Sequence, residues 1–358
     1  SVVYNEMPYP ACRRLVDPSS VSEFKPMPYL PVIRDMVVDT SRITDRLKTL
    51  RPYVEQLGKP QVPYTVAQDV IEPFREFRKC IECWSCISAC PAIMEASQDF
   101  AGPTLMRQLA RLELDPRDGL DRVSMALKEG LYKCTACGNC RVVCDKNIEM
   151  LGKAIERLRS LAVARELGPL PEHKPLTASI RNYWNPWQNP RAARARWAKK
   201  LDLPDKGETM FFAGCSPSLL LDDMSKSVVK LYDAIDEPLA YLGKKEHCCG
   251  SPLMRIGELD LFREMSEANM KEFAEAGAVR VVATCAGCMK TIKNDYPDFL
   301  GETGIEVVHV IEVAAEAIRD GRIKVKPLDT DGAVTYHDPC HLGREGGVFE
   351  AQRVVMEA

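Results

Sequence analysis

The sequence has no long apolar run. None of its 358 residues falls in a stretch long enough for a membrane-spanning helix, and no secretory signal pattern is visible. Net charge is also scarce: 48 Lys and Arg stand against 51 Asp and Glu, a formal −3. Neither nucleic acid nor an anionic membrane surface is therefore suggested as a partner. A nucleotide fingerprint is missing as well. Gly343, Gly346 and Gly347 are not spaced for one, so no flavin or NAD site is visible. The first residue is Ser1, not Met, and Ala358 falls inside a helical pattern, so both ends are expected to be cut. What the chain has in quantity is cysteine. Of its fifteen, all but Cys12 fall in clusters. So many thiols are expected in a reducing, cytoplasmic setting, or one peripheral to a membrane on that side. The length allows two or three domains, and 46% apolar residues allow sizeable cores.

Two runs dominate. The first reads Cys80-Ile-Glu-Cys83-Trp-Ser-Cys86-Ile-Ser-Ala-Cys90-Pro91, the second Cys134-Thr-Ala-Cys137-Gly-Asn-Cys140-Arg-Val-Val-Cys144. Both have the spacing C-x2-C-x2-C-x3-C of a two-cluster bacterial-type ferredoxin, in which the fourth Cys of each run ligates the other cluster. The reason is reach. Three thiolates two residues apart sit on one tight loop and face one side of a cubane. A fourth, three residues on and entering a helix, points away. One [4Fe-4S] cluster is therefore expected on Cys80, Cys83, Cys86 and Cys144, the other on Cys134, Cys137, Cys140 and Cys90. Zinc would favour two separated ligand pairs, and disulfides need an oxidising compartment.

Between the runs the pattern is helical. Leu105, Leu109 and Leu112 share a face, as do Val123, Leu127 and Leu131. After Cys144, Ile148, Leu151, Ile155, Leu158 and Leu161 read as a longer amphipathic helix. Their expected role is core, shielding the clusters from water.

Upstream, Cys12 precedes Met27-Pro-Tyr-Leu-Pro31-Val-Ile-Arg-Asp-Met-Val-Val-Asp39. Val32, Ile33, Met36, Val37 and Val38 read as strand or turn leading into a helix from about Thr40. With Phe100-Ala-Gly-Pro103, Leu109, Arg111 and Asp115-Pro-Arg-Asp118-Gly-Leu-Asp-Arg122, this stretch resembles the iron–sulfur subunit of succinate dehydrogenase and fumarate reductase, over roughly residues 8 to 165. The resemblance implies that residues 1–58 are the C-terminal part of a β-grasp [2Fe-2S] domain with its connector. It makes Cys12 the last of that cluster's four ligands, the other three lying before Ser1. It also implies a separate FAD-containing flavoprotein partner. Three features depart from the quinone-linked members. Cys137 is present where those enzymes usually lack the middle cysteine, Cys90-Pro91 is not followed by tryptophans, and Asp145 stands where proline often follows the last cysteine.

Residues 166–206 read as a linker, with breakers at Gly168-Pro-Leu-Pro171 and Asn182-Tyr-Trp-Asn-Pro-Trp187-Gln-Asn-Pro190. A basic run follows, Arg191, Arg194, Arg196, Lys199 and Lys200, and reads as a solvated, docking helix. From Thr209 strands alternate with helices: strands over 210–214, 238–242, 279–283 and 305–310, helices over 217–235, 257–277, 286–296 and on to about Ile318. That order predicts a parallel α/β sheet. Ligand sites in such sheets lie beyond the carboxyl ends of the strands. Cys215, Cys248, Cys249, Cys285 and Cys288 fall there. Five thiolates exceed the four of a cubane or a zinc site, which suggests an opened, thiolate-bridged cluster. Zinc stays as the alternative.

Cys215, Cys248-Cys249-Gly250 and Cys285-Ala-Gly-Cys288, with Asn185-Pro-Trp187 upstream, resemble the cysteine-rich CCG domain of heterodisulfide reductase and its relatives. The resemblance implies a noncubane [4Fe-4S] cluster on those five cysteines, which makes them the candidate catalytic set. Tyr336-His-Asp-Pro-Cys340-His341-Leu-Gly-Arg344 resembles the opening of a second CCG repeat, and implies Cys340 as a ligand of a second such cluster. His337 and His341 would line a pocket or cap the loop.

The expected architecture is α+β and multidomain. A β-grasp remnant (1–58) leads to an α-helical ferredoxin domain with two [4Fe-4S] clusters (59–165). After the linker come a first CCG domain (207–325) and the start of a second (326–358). As a whole the chain is similar to the thiol:fumarate reductase family. That likeness implies an electron-transfer subunit coupling fumarate/succinate interconversion on the flavoprotein to small-molecule thiol/disulfide chemistry. A heterodisulfide reductase-type or membrane subunit is a further implied partner. A quinone-linked subunit and a pure electron carrier remain open as alternatives.

Overall fold

The computed structural model describes residues 1–15, 17–58, 65–326 and 332–358. Its contacts divide the chain into two units. Unit 1 is Ser1–Leu170 with Arg255–Gly257, and unit 2 is Pro171–Met254 with Glu258–Ala358.

Unit 1 opens with small antiparallel sheets. Strands β1 (Val2–Tyr4), β2 (Met7–Tyr9) and β3 (Phe24–Lys25) pair in the order β2-β1-β3. β4 (Val32–Arg34) and β5 (Val37–Val38) make a hairpin whose apolar side chains are largely exposed. Helix α1 (Ser41–Thr49) follows, then α2 (Gln68–Arg75), α3 (Ser85–Ser88), α4 (Pro91–Ala96), α5 (Pro103–Glu113), α6 (Arg122–Lys128), α7 (Asn139–Val142) and α8 (Arg157–Ala164). Leu105, Leu109, Val123, Ile155 and Leu158 meet Phe74, Phe77 and Phe100 in one core, and six of the eight ferredoxin-type cysteines border it. Two expectations shift locally. Ile148 precedes its helix, which starts as a π turn over Leu151–Glu156, and Leu131 sits on a 3-10 turn. Arg122 is fully buried: its guanidinium donates to both Asp118 oxygens and to the carbonyls of Leu50 and Tyr53, tying α6 to the chain after α1.

Unit 2 is a four-stranded parallel sheet, β6 (Thr209–Phe212), β7 (Ala240–Tyr241), β8 (Arg280–Ala283) and β9 (Glu306–His309), in the order β7-β6-β8-β9. Its helices are α9 (Lys174–Tyr183), α10 (Cys215–Leu219), α11 (Asp222–Ala234), α12 (Ser251–Ile256), α13 (Leu259–Ala276), α14 (Ala286–Lys290), α15 (Tyr296–Leu300), α16 (Val310–Arg319) and α17 (Glu350–Glu357). Alternation along the strands builds both faces. Met210, Phe212, Val281 and Ala283 join Phe262, Phe273 and Tyr296 on one side. Phe211, Ala213 and Val282 join Val228, Tyr232 and Trp197 on the other. A parallel sheet covered on both faces reads as continuous apolar strands, which these are. The expected linker differs. Residues from Pro171 on belong to unit 2, α9 lies in them, and Arg194 of the supposedly solvated basic run is buried at 2% exposure. A basic run is solvated only where no buried carboxylate claims one of its members, and here Glu246 does.

Candidate metal centres

The two ferredoxin-type loops repeat one backbone path. Cys80 follows the 3-10 turn Glu76–Lys79 with φ −64° and ψ 126°, and Cys134 follows Leu131–Lys133 with φ −66° and ψ 126°. In each loop the residue before the second cysteine and the one after it are left-handed: Glu82 (52°) and Trp84 (61°), Ala136 (55°) and Gly138 (70°). Non-glycine residues give up about 1–2 kcal/mol each in that region, so the surroundings must enforce it. The short helices α3 and α7 then start and carry the third cysteine of each run.

This winding gathers the thiols. Cys80, Cys83, Cys86 and Cys144 line one cavity whose other walls include Ile81, Trp84, Val143, Ile148 and Met150. Cys90 and Cys140 both lie within electrostatic reach of Cys134 and Cys137, and Cys140 also of Cys86. Burial pushes the Cys86 thiol up to about 12 and Cys90 to about 11, and raises Cys140 well above the ordinary thiol value. Among the described residues no group of three or more His, Cys, Asp or Glu is drawn in tightly enough to hold a single metal ion. The first four thiols stand around a volume instead. An all-thiolate donor set with apolar walls suits a soft-metal cluster, so these residues fit iron–sulfur ligation.

The second group stands at the carboxyl ends of the parallel strands. Cys215 opens α10 directly after β6. Cys248 and Cys249 follow the turn Gly243–Lys245 after β7, and Cys285 caps α14 after β8 with Cys288 inside it. Because β7 and β8 flank β6 on opposite sides, the chain switches direction there, where such sheets bind ligands. The five thiols neighbour one another closely enough for sulfur hydrogen bonds, in the order Cys215–Cys248–Cys249–Cys288–Cys285. The bond from Cys248, with that from Cys288, holds the Cys249 thiol down at about 6. The bond from Cys288 holds Cys285 at about 6. The bond to Cys248, with burial, pushes Cys215 well up. Space is fitted to the sulfurs: a Cβ on Gly214 would stand 3.1 Å from the Cys288 Sγ. Five contiguous soft donors fit a multi-iron centre by the same chemistry.

The backbone carrying the Cys248-Cys249 doublet is clamped from behind. The His247 N–H donates to Asn269 Oδ1 (3.0 Å), Asn269 Nδ2 donates to the Cys248 carbonyl (3.1 Å), and the Tyr296 hydroxyl donates to the Cys249 carbonyl (3.1 Å). His247 stacks on Trp184 with centroids 3.6 Å apart, and burial lowers its imidazole to about 4. Arg194 donates to the Cys215 Sγ (3.4 Å) and to Glu246 (2.7 Å). These supporting residues carry no spacing signal of their own. The nearest clue was that Glu246 and His247 directly precede the doublet.

Cys12 is exposed on the turn Ala11–Arg13, beside Arg13, which pairs with Asp145 at 2.8 Å. Cys340 is half-buried. His341 reaches the second group, its Nδ1 3.6 Å from a Cβ placed on Gly287, whereas His337 is exposed. No helix of the described residues is long and apolar enough to cross a membrane.

Comparison with known proteins adds family evidence. Residues 76–148 match the 4Fe-4S dicluster domain family, and residues 209–293 match the cysteine-rich domain family. The chain is 34% identical to the B subunit of the CoM/CoB fumarate reductase of Methanothermobacter marburgensis, over 97% of this chain and 68% of that protein. It is 32% identical to an uncharacterized iron–sulfur protein of Methanococcus maripaludis, over 100% of this chain and 71% of that one. The D subunit of the dihydromethanophenazine:CoB–CoM heterodisulfide reductase of Methanosarcina mazei is 34% identical over 64% of this chain and 57% of its own length.

Proposed function

Since the chain belongs to the family of the CoM/CoB fumarate reductase B subunits, and so is an iron–sulfur electron-transfer subunit of an oxidoreductase, we propose that it joins thiol/disulfide chemistry to fumarate reduction. Two small-molecule thiols, of the coenzyme M and coenzyme B kind, give up two electrons and two protons to form a mixed disulfide. Fumarate takes up two of each to become succinate on a partner flavoprotein. The observation that carries this reading is the gathering of five cysteines at the carboxyl ends of three neighbouring parallel strands, in the same chain as two ferredoxin-type loops.

In this reading Cys80, Cys83, Cys86 and Cys144 hold one [4Fe-4S] cluster, and Cys90, Cys134, Cys137 and Cys140 the other. Cys215, Cys248, Cys249, Cys285 and Cys288 hold a noncubane [4Fe-4S] cluster, Cys340 belongs to a second, and Cys12 to a [2Fe-2S] centre. When bound, the clusters would accept and release single electrons, and the one on the five thiolates would supply exchange with an incoming sulfur. The protein's own part is to exclude water with apolar walls and to hold the doublet through Asn269 and Tyr296. His341, whose Nδ1 lies 3.6 Å from a Cβ placed on Gly287, would meet a thiol substrate in this reading. A cytoplasmic location and a flavoprotein partner complete the proposal. A quinone-linked reading has one specific support, 29% identity over 78% of this chain to an EtfAB:quinone oxidoreductase of Syntrophomonas wolfei.

The test is low-temperature EPR of the reduced and of the thiol-treated protein. We expect Cys249→Ser to abolish the noncubane signal while both ferredoxin-type signals persist, and thiols to perturb only the noncubane signal. Loss of all signals together would overturn the ligand division. Perturbation by quinone but not by thiols would replace the substrate.

A further inference from the structure

Arg194 sits 2% exposed inside unit 2. Its guanidinium divides its donors among the Glu246 carboxylate (2.7 Å), the Ser218 hydroxyl (3.3 Å), the Trp184 carbonyl (2.9 Å) and the Cys215 Sγ (3.4 Å). Glu246 is fixed in turn. The backbone N–H groups of Ala213 and Gly214, which lead straight into Cys215, donate to it at 2.8 and 3.0 Å. The Tyr241 hydroxyl donates to the Arg194 carbonyl at 2.9 Å. A buried ion pair is a poor device for stability, because desolvation of both charges offsets their attraction. This pair has another visible consequence, a fixed positive group aimed at one thiol of the second centre.

We infer that Arg194, oriented by Glu246, is a positioning residue that raises the reduction potential of the centre held by Cys215. The inference rests on the assignment of Cys215 as a cluster ligand made above. Reduction adds negative charge to a cluster and its thiolates. A donor cation against one ligand sulfur stabilises the reduced form more than the oxidised one. The carboxylate acts in the opposite sense, but it meets the guanidinium and two backbone amides rather than the sulfur, so the cation prevails at Cys215. The arrangement favours electrons coming to rest on the thiol-handling centre.

The experiment is an EPR-monitored redox titration of the full chain reconstituted with iron and sulfide. Wild type is compared with Arg194→Gln, Arg194→Lys and Glu246→Gln. Arg194→Gln is expected to lower the one-electron reduction equilibrium of this centre about tenfold, a fall of about 59 mV. Arg194→Lys, which keeps the charge, is expected to stay near wild type. Glu246→Gln is expected to shift the equilibrium upward, and the ferredoxin-type centres are expected to stay unmoved in every variant. A merely structural role would not give shifts of opposite sign. An unshifted Arg194→Gln centre overturns the inference and leaves the ligand assignment standing. Absence of any centre at the five cysteines of the wild type overturns both. If Arg194→Gln fails to take up the centre, Glu246→Gln decides: an upward shift supports the inference and no shift overturns it.

Discussion

Gly250 shows at the level of a single residue how closely the doublet is enclosed. It holds φ +83°, and a Cβ there would stand 2.5 Å from the Phe262 ring. Both the left-handed backbone and the buried aromatic oppose a side chain. Gly250→Ala is therefore expected to destabilise the protein by about 2–4 kcal/mol, read by denaturant unfolding, and to lower iron uptake at the second centre. Unchanged stability would mean that the loop relaxes freely. The glycine was legible in the sequence as the third residue of the Cys248-Cys249-Gly250 motif. The phenylalanine was not, because it lies on α13 and nothing in the local pattern marks its contact.

Among elements, the ferredoxin-type loops and α6 each make a prediction. Ala136 is left-handed where the matching loop has Glu82. Ala136→Gly removes a Cβ penalty larger than the entropy glycine adds, so thermal unfolding of the loaded protein should rise, by up to about 1 kcal/mol. A fall would show that the Cβ packs usefully in that loop. Helix α6 is capped by Asp121, whose side chain accepts from the Ser124 N–H at 3.0 Å. The Ser124 hydroxyl and backbone hold that carboxyl below the usual carboxylate range. A lowered folded pKa means stability that is present above the unfolded value, about 3.9, and is lost as pH falls through the folded one. Asp121→Ala should thus cost about 1 kcal/mol at neutral pH, and the gap to wild type should close below about pH 4 in melts taken across pH.

The elements themselves were unevenly legible. The strands and helices from 209 to 319 announced themselves, because buried parallel strands are continuous apolar runs and their crossover helices are long. The stretch from 171 to 206 did not. Its prolines and arginines look like a solvated connector, and only the distant Glu246 and the Trp184 carbonyl reveal that Arg194 turns inward. Short hairpins such as β4–β5, with exposed apolar side chains, carry no burial pattern to separate strand from turn.

At the scale of the molecule the two units are expected to depend on bound metal to different degrees. The longest regular α-helix described in unit 1 is α5, 11 residues; α8, 8 residues, is extended only by the π turn Leu151–Glu156, and α3 and α7 have 4 each. Helices that short are marginal unless tertiary contacts hold them, and the core they surround includes Cys86, Cys90 and Cys140 among its buried members. Unit 2 has a paired sheet with apolar layers on both faces and an 18-residue helix, α13. Where ligation and folding are linked, withdrawing the metal withdraws folding free energy. Anaerobic chelation of iron is therefore expected to melt unit 1 and to leave the sheet of unit 2 in place. Hydrogen exchange read by mass spectrometry would show protection lost across α3 to α8 and kept in β6, β8 and β9. Protection lost equally in both units would mean that the sheet, too, is assembled on its thiol-bound centre, and that the apolar layers of unit 2 do not suffice without it.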